Sequence, residues 1–458
     1  YFVEDIFNCV VKKIDQAKYD QSRILFELLQ NADDAVNDLV ENGESIKGRT
    51  KFEVIDSFAK DTKRSSIHVS HFGRLINESL NKEKEDRYSN DLLNMLLINS
   101  SEKEGRSTGK FGLGFKSVYF VCQEPIIRSG DLQFKILGAL YPENEMSDSL
   151  RDNETRIELT LNDKADIDLI YGDFEKNAEL QTLFCKHIND ISIRGTRYKP
   201  ELQKGDRVGV GLYSSDNRNY LRFGLKTGVL IFKLSQDVNS VESFGESSVS
   251  RVWNLTPLAT AKTLPFAINS GFEVDIGRKN LDETDKKNEN RLQTLAIEFS
   301  SVLCGIIEND ADNFNKFIPS ILDMILNGCG IKDSAILNGF CRKVLTEVYN
   351  SKKIIPDGIG NIIKKPKNPY YITPNKFNLD YDSPNFVEFV IRIQSAIVDE
   401  SVITRNVSEV LSGVLEFNEI DGYEKILNII SGGYKISNKN AEVFVKLINL
   451  ISTGLPTI

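Results

Sequence analysis

Glu27, Asn31 and Asp34 are spaced so that, in a helix, their side chains share one face. A carboxylate, an amide and a second carboxylate in a row can polarise water, offer an uncharged oxygen to a cation and hold a polar ligand. Ile24, Leu25, Leu28 and Leu29 give the same segment an apolar face, so the helix must press against a core. Acids in that setting cost free energy unless they are paired or bound to something. The plain alternative is a helix with a polar edge.

A second cluster lies further along, at Gly109, Lys110, Phe111, Gly112, Leu113, Gly114 and Phe115. Three glycines at this spacing let the backbone turn sharply and approach a ligand closely. The apolar run Phe115–Val121 can then begin a helix, whose free N–H groups would face a phosphate. A lone glycine loop is a weak signal. The acid–amide helix upstream makes the pair a strong one.

Together these residues resemble the Bergerat-fold ATPases, the superfamily of gyrase, Hsp90, histidine kinases and MutL. The resemblance is to the Hsp90 branch, and within it to sacsin-type ATP-binding modules. Glu27 to Ala35 fits that family's E-x-x-x-N-x-x-D-A box, and Gly109 to Gly114 with Phe111 fits its G-x-F-G-x-G box. Thr155 opens a segment similar to the family's late Thr-bearing strand. The match covers roughly residues 20–160. One element departs. Where the family carries D-x-G-x-G, whose Asp takes the adenine amino group, this chain has His71-Phe72-Gly73-Arg74-Leu75. His71 then either faces the base as an acceptor or is an ordinary strand-end histidine. Downstream, 264–281 resembles the middle segment of Hsp90 and sacsin proteins, with Arg278 at the position that reaches the γ-phosphate. Lys279 competes with it for that role.

The resemblance implies ATP and Mg²⁺ as ligands. Glu27 would be the base that polarises water, Asn31 the oxygen donor to Mg²⁺, and Asp34 an organiser of the pocket. Gly73 would line that pocket, and the amides of 110–115 would hold phosphates. Lys110 or Lys116 would add charge there, and Thr155 would bond near the base. Arg278 would complete catalysis. The implied fold class is α+β: a two-layer Bergerat sandwich over 1–200 with a lid at about 77–108. An Hsp90-middle-like α/β domain over 201–315 and a mainly helical region over 316–458 would follow.

Composition sets outer bounds. The 458 residues suit two or three domains. A hydrophobic share of 40% and a charged share of 27% are those of an ordinary globular chain. The net charge of −9 argues against general nucleic-acid binding. No apolar run is long enough to span a membrane. Six scattered cysteines without a C-x-x-C read as reduced thiols of a cytoplasmic protein. The sequence opens on Tyr1 rather than Met, so it is read as a piece of a longer protein or one numbered from an internal residue.

Periodicity predicts a helix from Asp20 to Glu41 closed by Asn42-Gly43, and strands at 52–55 and 67–69. A helical patch falls at 92–97, strands at 208–212, 221–225, 229–234 and 252–255, and a helix over 288–308. A boundary is expected near Lys199-Pro200. Three functions remain open on this reading. The first is a slow ATPase that works as an Hsp90/sacsin-like conformational switch on a protein client or partner subunit. A second copy of the chain is one candidate partner, and bacterial antiphage defence one setting. The second is a regulatory module that holds ATP as a structural ligand. The third and weakest is a kinase, since no phosphoacceptor helix is evident.

Overall fold

The computed structural model describes residues 2–16, 20–59, 64–78, 91–96, 114–146, 148–216, 218–245, 249–260, 262–275, 279–309, 313–358, 361–364, 369–372 and 402–420, with a few isolated positions beyond. The described residues form an α+β protein. Helix α1 (Phe2–Gln16) is followed by a 3₁₀ turn, Gln21–Arg23, that runs directly into α2 (Ile24–Glu41). Asp20 starts this run. Its carboxylate accepts the Ser22 N–H at 3.0 Å, satisfying a donor that the helix leaves open. Asn42 caps the other end, and Gly43 follows at φ 76°, a conformation that favours glycine.

The first sheet has eight strands: β1 (Lys51–Ala59), β2 (Arg64–His71), β3 (Ile126–Ser129), β4 (Leu132–Leu137), β5 (Tyr141–Asn144), β6 (Thr155–Thr160), β7 (Asp190–Ile193) and β8 (Thr196–Tyr198). Their order is β5-β4-β3-β6-β2-β1-β7-β8, antiparallel except where β1 meets β7. Alternation decides which face is covered. Phe52 and Val54 of β1, Ile67 and Val69 of β2, and Ile157 and Leu159 of β6 are buried in one core with the helices. Helix α3 (Asp91–Leu96) lies between β2 and β3 in sequence. Helix α4 (Ile167–Phe184) packs beside α2 in the same layer.

Lys199-Pro200 separates the two sheets. The second begins at β9 (Glu201–Gly205) and continues through β10 (Val210–Ser215), β11 (Arg218–Gly224), β12 (Gly228–Leu234), β13 (Val241–Glu242), β14 (Val252–Asn254), β15 (Thr256–Pro257) and β16 (Ala267–Ser270). Both faces of this sheet are used. Tyr220, Ile231 and Trp253 join the core of α2 and α4, whereas Leu221, Phe223, Leu230 and Phe232 pack under α5 (Lys286–Glu308), α6 (Ile318–Gly328) and α7 (Ala335–Lys352). The described layers therefore run sheet, helices, sheet, helices. After Lys353 the described residues form short strands and one short helix, β17 (Ile354–Pro356), β18 (Ile362–Lys364), β19 (Tyr370–Ile372), β20 (Val402–Thr404), α8 (Arg405–Leu411) and β21 (Asn418–Ile420). Among the described residues, the longer helices expected of 316–458 are α6 and α7.

Candidate functional site

Helix α2 carries the predicted acid–amide face. Its burial is graded: Glu27 is 4% exposed, Asp34 is half-buried and Asn31 is exposed. The Glu27 carboxylate lies against Gly114, where a Cβ would sit 2.5 Å from Oε2. No other residue fits there without displacing the acid. The chain then forms a 3₁₀ helix, Phe115–Phe120, rather than an α-helix. Gly109, Lys110, Phe111, Gly112 and Leu113 lie outside the described residues, as does Arg278.

The end of β2 meets α2 one to two turns beyond Asn31. A Cβ at Gly73 would fall 2.7 Å from the Ala35 Cβ and 2.9 Å from the Val36 nitrogen, so strand and helix are in backbone contact. Arg49 holds this turn open, donating from Nε to the Phe72 carbonyl and from Nη2 to that of Gly73, both at 2.7 Å. Arg74 donates its N–H to the Ala35 carbonyl at 3.0 Å and pairs with Asp38 at 3.0 Å and Asp91 at 2.6 Å, tying α2 to α3.

His71 and Thr155 are cross-strand partners and stand in the core-facing register of β2 and β6. The Thr155 hydroxyl shares a hydrogen bond with Ser129 Oγ at 2.6 Å, and Ser129 also accepts the Ile76 N–H at 2.9 Å. The His71 Nδ1 accepts the Gly73 N–H at 3.3 Å. In the neutral ring that leaves Nε2 as a donor, so the acceptor role expected toward an amino group is already taken up by the turn. Burial, with Arg49 and Arg74 alongside, pushes the His71 pKa down to about 4.

Two residues not singled out by the sequence shape the site. Asp33 accepts three successive backbone N–H groups, from Lys186 at 2.8 Å, His187 at 2.9 Å and Ile188 at 2.8 Å, pinning the turn after α4 to α2. It falls in the apolar stripe of Leu29 and Val36, and an acid in such a stripe is the signal that could have marked it. Trp253 packs edge-on against Phe26 at 6.4 Å and against Phe184 at 5.0 Å, so the second sheet touches α2 beside Glu27. Lys279, the neighbour of Arg278, pairs with Asp20 at 2.7 Å. The 279–281 loop therefore lies at the start of the segment that bears Glu27.

This is an α+β protein whose N-terminal part sets a buried carboxylate against a glycine turn. Residues 7–199 match the family model of the Sacsin domain, which establishes a sacsin-like relationship for that stretch. No curated protein matches the chain. None of the described helices is long and apolar enough to cross a membrane.

Proposed function

We propose that the sacsin-like stretch binds ATP with Mg²⁺ and that the whole chain turns ATP over slowly, as a conformational switch acting on a protein partner. The observation that carries this reading is Glu27, a buried acid placed where only a glycine backbone fits beside it. An acid so confined suits proton abstraction from an ordered water. The donor set on α2 fits a hard cation: Asn31 offers an uncharged oxygen at the exposed surface, and Asp34 a second oxygen one turn on. Mg²⁺ bound there would neutralise phosphate charge. Thr155 and His71 would face the base, and Arg278 would add charge from the second sheet's side. Antiphage defence is the biological setting we favour, on the resemblance alone.

Mg-ATP should raise the Tm of the whole chain by ligand linkage. Asn31→Ala should abolish that shift, and Glu27→Ala should keep it while turnover falls by roughly 10²-fold or more. A shift that survives Asn31→Ala would place the nucleotide elsewhere. Absence of turnover in the wild-type chain would leave a protein that holds ATP as a structural ligand.

A further inference from the structure

Lys116 stands two residues after Gly114 and was a candidate for phosphate charge. The structure sends its ammonium elsewhere. Nζ donates to the carbonyl of Leu96 at 2.7 Å and to that of Ala139 at 3.2 Å, and the residue is 1% exposed. Leu96 is the last described residue of α3, so the first bond ties that helix to the lysine through a backbone carbonyl. Ala139 belongs to the turn between β4 and β5 and holds φ 61°, a left-handed conformation that an alanine adopts only under constraint. That turn is fully buried at Ala139 and aims its carbonyl at the lysine.

The charges around Lys116 do not account for its burial. The elements packed against its short helix are α1, α2 and the 21–23 turn. They contribute the exposed charges of α1, Glu27 of α2 and Arg23. The Asp91 carboxylate of α3 is engaged by Arg74 at the far end of that helix. The Tyr119 ring lies 5.9 Å from Nζ. Burial pushes the pKa of the ammonium down to about 8. A buried cation held only by carbonyls is a poor way to stabilise a fold, since an apolar side chain of the same length would avoid the desolvation cost. What it does well is fix direction.

We infer that Lys116 is a positioning residue that clamps α3 at Leu96 and the 138–140 turn to the Gly114 end of the glycine cluster, and so holds Gly114 in place against Glu27. Arg74 holds the other end of α3 through Asp91. The consequence for turnover rests on the ATP reading above. The mechanical part does not.

The test uses the whole chain without nucleotide first. Hydrogen exchange is followed in peptides covering 91–96 for wild type, Lys116→Met and Lys116→Gln. Lys116→Met should leave the Tm unchanged or higher, yet raise exchange in α3 by tenfold or more. Lys116→Gln, which keeps an N–H donor without the charge, should fall between the two. Equal exchange in all three proteins overturns the clamp. A Tm that collapses in both variants makes the lysine an ordinary core strut and overturns it as well. In a second arm, Lys116→Met should cut ATP turnover tenfold or more with affinity within a few-fold. If the exchange result holds and no protein binds ATP, the nucleotide reading has failed and the clamp stands. If exchange responds while kcat and KM of an active enzyme do not, the role in placing Gly114 is overturned.

Discussion

At the scale of single residues the site is defined by what will not fit. A methyl group at position 114 meets the Glu27 carboxylate, so Gly114→Ala should displace the acid while leaving most nucleotide contacts alone. Turnover should fall on the order of 100-fold, the cost of a misplacement of about 1 Å, with the ATP-induced Tm shift retained. Unchanged turnover would mean that Glu27 is not the working base. His71 makes a second residue-scale prediction, about pH. Its folded pKa of about 4 lies below the ordinary value of 6.5, so the unfolded chain takes up the proton first on acidification. This part of the stability is therefore intact above pH 6.5 and is lost as pH falls toward 4, by about 3 kcal/mol in all. In His71→Asn the amide oxygen can still accept the Gly73 N–H, and the loss between pH 6.5 and 4 should shrink accordingly. Burial lowers His68 and His187 too, so the informative quantity is the difference between the two denaturation series. If that difference is flat with pH, the ring is not buried in its neutral form. Nucleotide affinity should not change near pH 6.5 on account of this residue.

At the scale of elements, much was legible because periodicity reports burial. The α2 helix, its Asn42-Gly43 stop, the strands at 52–55 and 67–69 and the helix over 288–308 all announced themselves through one covered face. Other features have no local signal. The run after Gly114 winds as 3₁₀, and its apolar pattern does not distinguish that from α. The short strands after Lys353 are three residues each, too brief for alternation to show. Of the candidate site, spacing marked Glu27 and Gly114 separately, and their contact with each other could not be read from it. Occupation of the His71 ring by its own turn could not either, because it depends on the path of the backbone at Gly73. Asp33 was hidden for a similar reason, since its partners are backbone amides about 150 positions away. It joins two elements, and the prediction belongs to the joint. Asp33→Ala leaves three N–H donors without their acceptor, that of Ile188 fully buried, and should cost about 2 kcal/mol or more in urea denaturation. It should also release exchange protection in 186–188 ahead of the strands. A loss below about 1 kcal/mol would show that water replaces the carboxylate.

At the scale of the molecule, residues on both sides of the boundary expected near Lys199-Pro200 share one core. Trp253, Tyr220 and Ile231 of the second sheet are buried together with α2 and α4, and Arg207 and Gln181 add hydrogen bonds across the same boundary. Strands β11 and β12 of the second sheet are apolar at odd and even positions alike, so the sequence could not say which face meets which neighbour. A fragment ending near residue 200 would bare this surface, so the two-part mechanism is best tested in the intact chain. Arg278→Ala should leave ATP affinity within a few-fold and cut turnover sharply, because the charge proposed for it acts on the transition state more than on binding. Lys279→Ala, which removes only a half-exposed pair with Asp20, should do much less. Equal effects of the two substitutions would remove Arg278 from the mechanism. The boundary also has an optical consequence. Trp253 is the chain's single tryptophan, fully buried against Phe26 and Phe184, one residue from the acid. Every photon of indole fluorescence from this protein originates at the seam between its two sheets. The unlabelled chain thus carries its own gauge of whether that seam opens or tightens when Mg-ATP is added.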